Sequence, residues 1–407
     1  MADHTHIEWT DATWNPVTGC SVVSPGCTNC YAMKLAGTRL QHHPSRAGLT
    51  QPSKAGPVWT GEVRLNEAWL DQPLRWRRPR RIFVCAHGDL FHEDVPDAWI
   101  DQVFAVMALS PHHTFQVLTK RAARMRAYLS DPRTARRAYE LVCDRAIDEE
   151  LLVVLQAPGC EETDAWPNLP RIHLGRFPLP NIWLGVSAED QTRADERIPD
   201  LLATPAAVRF VSLEPMLGPV DLDAAWHGES ALTADCWGDC AWCDKGFSPR
   251  HNCLKREPAA LDVERGRSGL DWVILGGESG PGARPMHPDW ARQVRDACAA
   301  AGVPFFFKQW GSWSVVYDRD RDDPDWRNPP NDRKTVGRYL NLAGGHGFHG
   351  ERVCFVQPVG KAAAGRLLDG VTHDAMPAPA ASGSGTPKAA QPSGQHDLTA
   401  RPEGDAP

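Results

Sequence analysis

The chain has 407 residues, of which 42% are hydrophobic, and a formal net charge of −7. That is enough apolar material for one large α/β domain with insertions. The acidic total excludes a uniformly basic nucleic-acid coat, and no apolar run approaches the ~20 residues needed to span a bilayer. The chain starts Met-Ala-Asp-His-Thr-His without an apolar signal segment, and its 12 cysteines are spread over a large sequence. The expectation is therefore a cytoplasmic protein whose thiols are reduced or bind metal, rather than a disulfide-stapled one.

Short β-rich runs alternate with amphipathic stretches along the chain, the pattern of parallel strands joined by helical crossovers. Strands are predicted at 13–17, 81–85, 114–118, 182–186, 208–213, 272–275 and 304–308, with helices at 31–40, 97–109, 121–129, 193–202 and 288–301. The fold class this gives is α/β, a partial (β/α) barrel of six or seven parallel strands over residues 1–312. Residues 131–180 are too long for an ordinary crossover and are expected to add a helix around 134–148. Residues 226–268 form a second insertion, 313–375 a C-terminal extension with an exposed loop at 318–325, and 376–407 a disordered tail rich in Ala, Pro, Ser and Gly.

Near the start, Cys20, Cys27 and Cys30 lie on one loop that precedes a helix. Three thiolates without a nearby fourth Cys or His suit an iron–sulfur cluster with one open iron. A zinc site completed by a distant residue, or three unligated thiols, are the other readings. A second group, Cys236, Cys240, Cys243 and Cys253, offers four thiolates in a Gly- and Pro-containing stretch. It reads as a closed zinc knuckle, an auxiliary iron–sulfur cluster, or free thiols. Cys85, Cys143, Cys160, Cys298 and Cys354 are isolated and read as small core or surface thiols.

Polar and glycine-rich residues collect after the strands, where a barrel of parallel strands carries its active site. They are Asp89-Leu-Phe-His-Glu-Asp, Thr119-Lys-Arg, Ser187-Ala-Glu, Glu214-Pro-Met, Gly276-Gly-Glu-Ser-Gly and Gln309-Trp-Gly. Basic residues cluster at Arg75, Arg77 and Arg78 around Trp76, and again from Lys120 and Arg121 onward. Guanidinium groups interleaved with an indole can grip phosphates and stack a base, or form a solvated face.

The motifs Trp14-Asn-Pro-Val-Thr-Gly-Cys with Cys27 and Cys30, Asp89-Leu-Phe-His-Glu-Asp-Val-Pro, Leu118-Thr-Lys-Arg, Trp183-Leu-Gly-Val-Ser, Val211-Ser-Leu-Glu-Pro, Gly276-Gly-Glu-Ser-Gly-Pro-Gly-Ala-Arg-Pro-Met and Phe306-Phe-Lys-Gln-Trp-Gly resemble the phage-type three-cysteine-motif family, uncharacterised proteins similar to radical S-adenosylmethionine enzymes. The radical enzymes usually space these cysteines C-x3-C-x2-C, whereas this chain has C-x6-C-x2-C. The resemblance implies a 4Fe-4S cluster on Cys20, Cys27 and Cys30, with S-adenosyl-L-methionine on the remaining iron. It implies that Asp89 receives the cofactor amine, that Ser187 and Glu189 hold the ribose, and that Glu214, Gly276, Gly277, Glu278 and Ser279 line the far side. A flavodoxin or ferredoxin would donate the electron, and the substrate would be a nucleotide or nucleic acid. The alternatives are a non-catalytic nucleic-acid-binding metalloprotein and a hydrolase using Asp89, His92, Glu214 and Glu278.

Overall fold

The computed structural model describes residues 5, 7–148, 178–225, 230–233, 269–320, 322–325, 336–347 and 352–377. The second cysteine group, most of the 131–180 and 226–268 insertions, Cys160 and the tail beyond residue 377 lie outside the described residues.

Seven strands, β1 (Ala12–Trp14), β2 (Arg81–Val84), β3 (Thr114–Thr119), β4 (Ile182–Ser187), β5 (Val208–Leu213), β6 (Trp272–Gly276) and β7 (Phe305–Gln309), form one sheet in sequence order. Every pairing is parallel, and the sheet curls into a half-barrel. Each crossover leaves room for helices on the outer face. The described ones are α2 (Asp97–Ala108), α3 (Ala122–Ser130), α4 (Pro132–Asp148), α5 (Gln191–Leu202) and α6 (Pro288–Ala301). β4, β5 and β6 are buried along their whole length, as strands covered on both faces must be, which is why they read as continuous apolar runs.

Alternation along each strand divides the core in two. Ile82, Val84, Phe115, Val117, Leu184, Val211, Leu275 and Phe307 point outward onto helix residues such as Phe104, Leu129, Ile198 and Val294. Phe83, Trp183, Phe210, Trp272 and Phe306 point inward with Trp9. Trp272 is the hub of the inner layer, its ring 5.6–6.1 Å from those of Phe210, Trp183, Trp9 and Phe306. These aromatics sit toward the amino ends of their strands and fill that end of the half-barrel. Gly185 makes the packing possible: a Cβ there would stand 2.5 Å from the Phe210 ring. On the same inward phase, the carboxyl ends carry Ser187, Glu214 and Lys308 instead. The half-barrel is thus apolar at one end and polar at the other.

Most boundaries lie within two residues of the sequence expectation, and the informative differences are these. β1 stops at Trp14, because Pro16 has no N–H for the ladder, and Val17–Thr18 pair antiparallel with Arg64–Leu65 instead. The helix expected at 31–40 is α1, Tyr31–Ala36, which ends at Gly37. Another helix, expected from Thr134, begins at Pro132, as suits a proline in a first turn. Residues 318–320, expected in an exposed loop, belong to β8 (Trp313–Asp320), which pairs with β10 (Arg352–Pro358), itself paired with β9 (Arg338–Leu340). The Asp318 carboxylate is 12% exposed because Arg292 and Arg352 reach it at 2.6 and 2.5 Å.

Candidate functional site at the polar mouth

The cysteine loop runs from β1 across the carboxyl end of the sheet. Gly19 forms a parallel bridge with Gly88 of the loop after β2, a one-turn 3-10 helix covers Pro25–Cys27, and Cys30 stands at the N-cap of α1. Cys27 is buried, and Cys20 and Cys30 are partly so. All three thiols are therefore delivered to the polar mouth by one segment.

Three buried carboxylates from three strand ends hold that segment down. Glu189, after β4, is fully buried and accepts from the Gly26 amide at 3.1 Å, from Lys120 Nζ at 3.3 Å and from Arg197 Nη1 at 3.2 Å. Gly26 has no side chain to keep the carboxylate away: a Cβ would lie 3.0 Å from Glu189 Cδ. Glu278, after β6, is 5% exposed and accepts from Asn29 Nδ2 at 3.0 Å and from the Arg284 amide, Nε and Nη2 at 2.8, 2.9 and 2.6 Å. Arg284 also donates to the Pro25 carbonyl at 2.9 Å, so the two loops are stitched twice. Asp89, after β2, is 4% exposed and takes Thr119 Oγ1 at 2.7 Å, the Lys120 amide at 3.1 Å, the Phe91 amide at 3.0 Å and Arg121 Nη1 at 3.1 Å.

Through Arg121 this third carboxylate also reaches the loop. Nη1 of Arg121 donates to Cys20 Sγ at 3.3 Å and Nη2 to Ser21 Oγ at 2.7 Å. The charges have the expected consequences. Glu189 and Glu278 titrate below their ordinary value, the cationic and amide donors outweighing burial. Burial, with Asp89 nearby, pushes the Cys20 thiol up to about 12 against the pull of Arg121. Cys30 is also raised by burial, while the amides of Met33 and Ala32 in the first turn of α1 act the other way. Without a bound metal these thiols are protonated, and a metal that takes them must displace the protons. Among the described residues, no three His, Cys, Asp or Glu side chains are grouped as a site for a metal ion.

The remaining rim residues are Ser187, Glu214, Lys308 and Gln309. Ser187 Oγ receives Lys120 Nζ at 2.6 Å. Glu214 receives Lys308 Nζ at 2.9 Å and Gln309 Nε2 at 3.0 Å, and its carboxylate lies beside Gly276, where a Cβ would be 3.1 Å from Oε1. The Gln309 Oε1 atom is buried without a partner among the described residues. Gly277 and Ser279 continue the rim, with the Gly277 amide held by the Gln309 carbonyl at 2.8 Å. His92 is buried, accepts the Asp94 amide at Nδ1 and meets Ser21 Oγ at Nε2. Burial and Arg121 lower its pKa, so it is a neutral brace of the loop.

The structure separates several residues that the sequence put together. Arg75, Arg77 and Arg78 are exposed but precede β2, at the amino end of the sheet and away from the mouth. Trp76 beside them is 8% exposed, packed on His113 and capped by Arg80 at 4.8 Å, so its ring has no free face for a base. Lys120 and Arg121 do reach the mouth, yet both are committed to carboxylates of the chain rather than open to phosphate. Arg126 and Arg137 pair with Asp200 and Asp101 on neighbouring helices. Asn29, Arg284 and Arg197 escaped the sequence reading. Asn29 lies unmarked in the cysteine loop, Arg284 stood only as one member of the Gly276–Met286 motif, and Arg197 carried no signal beyond lying close to Glu189 in the chain.

A model of the family described as "Protein of unknown function (DUF5131)" matches residues 4–377, and the chain belongs to that family. No curated protein and no solved structure matches it.

Proposed function

We propose that this member of the family is a radical S-adenosylmethionine-like iron–sulfur enzyme acting on a nucleotide or nucleic acid. The observation that carries the reading is the delivery of three thiols to the polar mouth of a parallel half-barrel by a loop that three buried carboxylates anchor. The donor set fits a cubane cluster: Cys20, Cys27 and Cys30 would each hold one iron, and the loop offers no fourth protein ligand. With S-adenosylmethionine bound, such a cluster supplies reductive carbon–sulfur cleavage and hence a 5′-deoxyadenosyl radical.

The chain's own residues then divide by task. Asp89, Glu189 and Glu278 are spent on backbone amides, Asn29 and arginines, and so fix the loop from behind instead of reaching for cofactor. Ser187, Glu214, Gly276, Gly277 and Ser279 line the mouth and are proposed to meet the ribose, amine and base of the cofactor. Trp272 and its neighbours close the far end, which keeps water from entering there. Arg75, Arg77 and Arg78 support contact with a polyanion outside the mouth. Cys236, Cys240, Cys243 and Cys253 are proposed to hold structural zinc.

Anaerobic reconstitution followed by iron, sulfide and zinc analysis tests the assignment. Native protein is expected to carry about four irons and four sulfides. The Cys20→Ala, Cys27→Ala, Cys30→Ala triple variant is expected to lose them while keeping its zinc. Full iron and sulfide in the triple variant would show that other cysteines hold the cluster.

A further inference from the structure

Among the described residues, Arg121 is the cation at the mouth that donates to a thiol. Its side chain is 5% exposed, and its guanidinium is held along three edges: by Asp89 at 3.1 Å, by Ser21 Oγ at 2.7 Å and by Glu93 at 3.3 Å. Its backbone amide donates to Thr119 Oγ1 at 2.9 Å, and that hydroxyl donates to Asp89 at 2.7 Å. The guanidinium therefore has one place to be, and that place puts Nη1 3.3 Å from Cys20 Sγ. A guanidinium does not deprotonate in proteins, so the charge beside Cys20 is permanent. Of its two carboxylate partners, Asp89 is buried, while Glu93 is 59% exposed and its charge is screened by water. Lys120, one residue earlier, sends its ammonium the other way, to Ser187 and Glu189.

We infer that Arg121 is a positioning residue whose guanidinium, held against the Cys20 corner of the cluster, favours its reduced, more negative state. The inference rests on the functional reading above, and its chemistry is a one-electron uptake from an external reductant in which no bond forms or breaks. Hydrogen bonds to cluster sulfurs and nearby positive charge both stabilise the added electron. A hydrogen bond to a charged group is worth enough to change the ratio of reduced to oxidised cluster about tenfold at a fixed potential, which is about 59 mV for one electron.

The test is a mediated redox titration of anaerobically reconstituted full chain, with dithionite as reductant and the reduced-state paramagnetic signal as readout. It compares native protein with Arg121→Met, Arg121→Lys and the double variant Asp89→Asn/Arg121→Met, which removes both charges and so leaves no buried carboxylate unpaired. The expected result is unchanged iron and sulfide content, an approximately tenfold fall in the reduced fraction for Arg121→Met, a smaller fall in the double variant, from which the opposing Asp89 charge is also gone, and partial recovery in Arg121→Lys. An unchanged midpoint in fully loaded Arg121→Met protein overturns the inference and leaves the functional reading standing. Loss of the cluster from both Met variants also overturns it, assigning Arg121 to ligand placement alone. Native protein that takes up no iron defeats the functional reading and this inference with it.

Discussion

Replacing Glu278 with glutamine probes the anchoring of the cysteine loop with little change in shape. The carboxylate accepts four hydrogen bonds, three from Arg284 and one from Asn29. Asn29 Nδ2, the Arg284 amide and Arg284 Nε all meet Oε2, and only Arg284 Nη2 meets Oε1, so an amide that keeps its oxygen at the Oε2 position loses one of the four bonds and turns its N–H2 group toward Nη2. Hydrogen bonds to a charged group are each worth about 1.5–3 kcal/mol when the acceptor is buried. The Arg284 side chain is 34% exposed, however, and water will solvate much of what it loses. The net cost of Glu278→Gln is therefore about 1–2 kcal/mol. Urea unfolding followed by tryptophan fluorescence measures it, and hydrogen exchange at residues 26–30 localises it. Unaltered stability together with unaltered exchange in the loop would refute the idea that Glu278 holds the loop.

The same geometry sets three further outcomes. Because Glu189 and Glu278 titrate below their ordinary 4.5, their stabilisation is fully present above that pH and is lost as pH falls through their lower folded values. Loop protection, taken as exchange relative to the intrinsic rate at each pH, should accordingly stay flat from pH 7 to 5 and fall in more acid solution, whereas a fall already complete at pH 5 would contradict the sign. Gly185→Val should cost at least 1–3 kcal/mol in urea unfolding, since its Cβ would meet the fully buried Phe210 ring at 2.5 Å; a stability equal to native would mean the inner layer is loose. Changing the exposed Arg77 and Arg78 to Ala should leave stability within about 0.5 kcal/mol. It should also flatten the salt dependence of polyanion binding by up to about two phosphate contacts, and an unaltered slope would remove this patch from any nucleic-acid interface.

The sheet was legible because strands buried on both faces must be apolar throughout, and because each of them gives way to a polar loop. All seven strands fall within a few residues of their expected places for that reason. The meeting of the cysteine loop with the strand-end loops was legible, the part each carboxylate plays there less so. A carboxylate after a strand looks the same in sequence whether it faces a ligand or a backbone amide, so the anchoring by Asp89, Glu189 and Glu278 needed the loop to be folded onto them. Runs of basic residues hid a similar ambiguity: Arg77 is exposed, while Arg121 is buried against Asp89 and Cys20. The small sheet built from β8, β9 and β10 went unseen because Asp318 reads as a solvent-exposed acid until Arg292 and Arg352 pair with it.

The central claim is that the anchored thiols support reductive cleavage of S-adenosylmethionine. Its most direct measurement is chromatography for 5′-deoxyadenosine after anaerobic reduction of cluster-loaded protein with S-adenosylmethionine present. The account predicts 5′-deoxyadenosine from native protein and none above background from the Cys20→Ala, Cys27→Ala, Cys30→Ala variant. Its absence from native protein with a full, reducible cluster, across a range of nucleotide and nucleic-acid substrates, would contradict it.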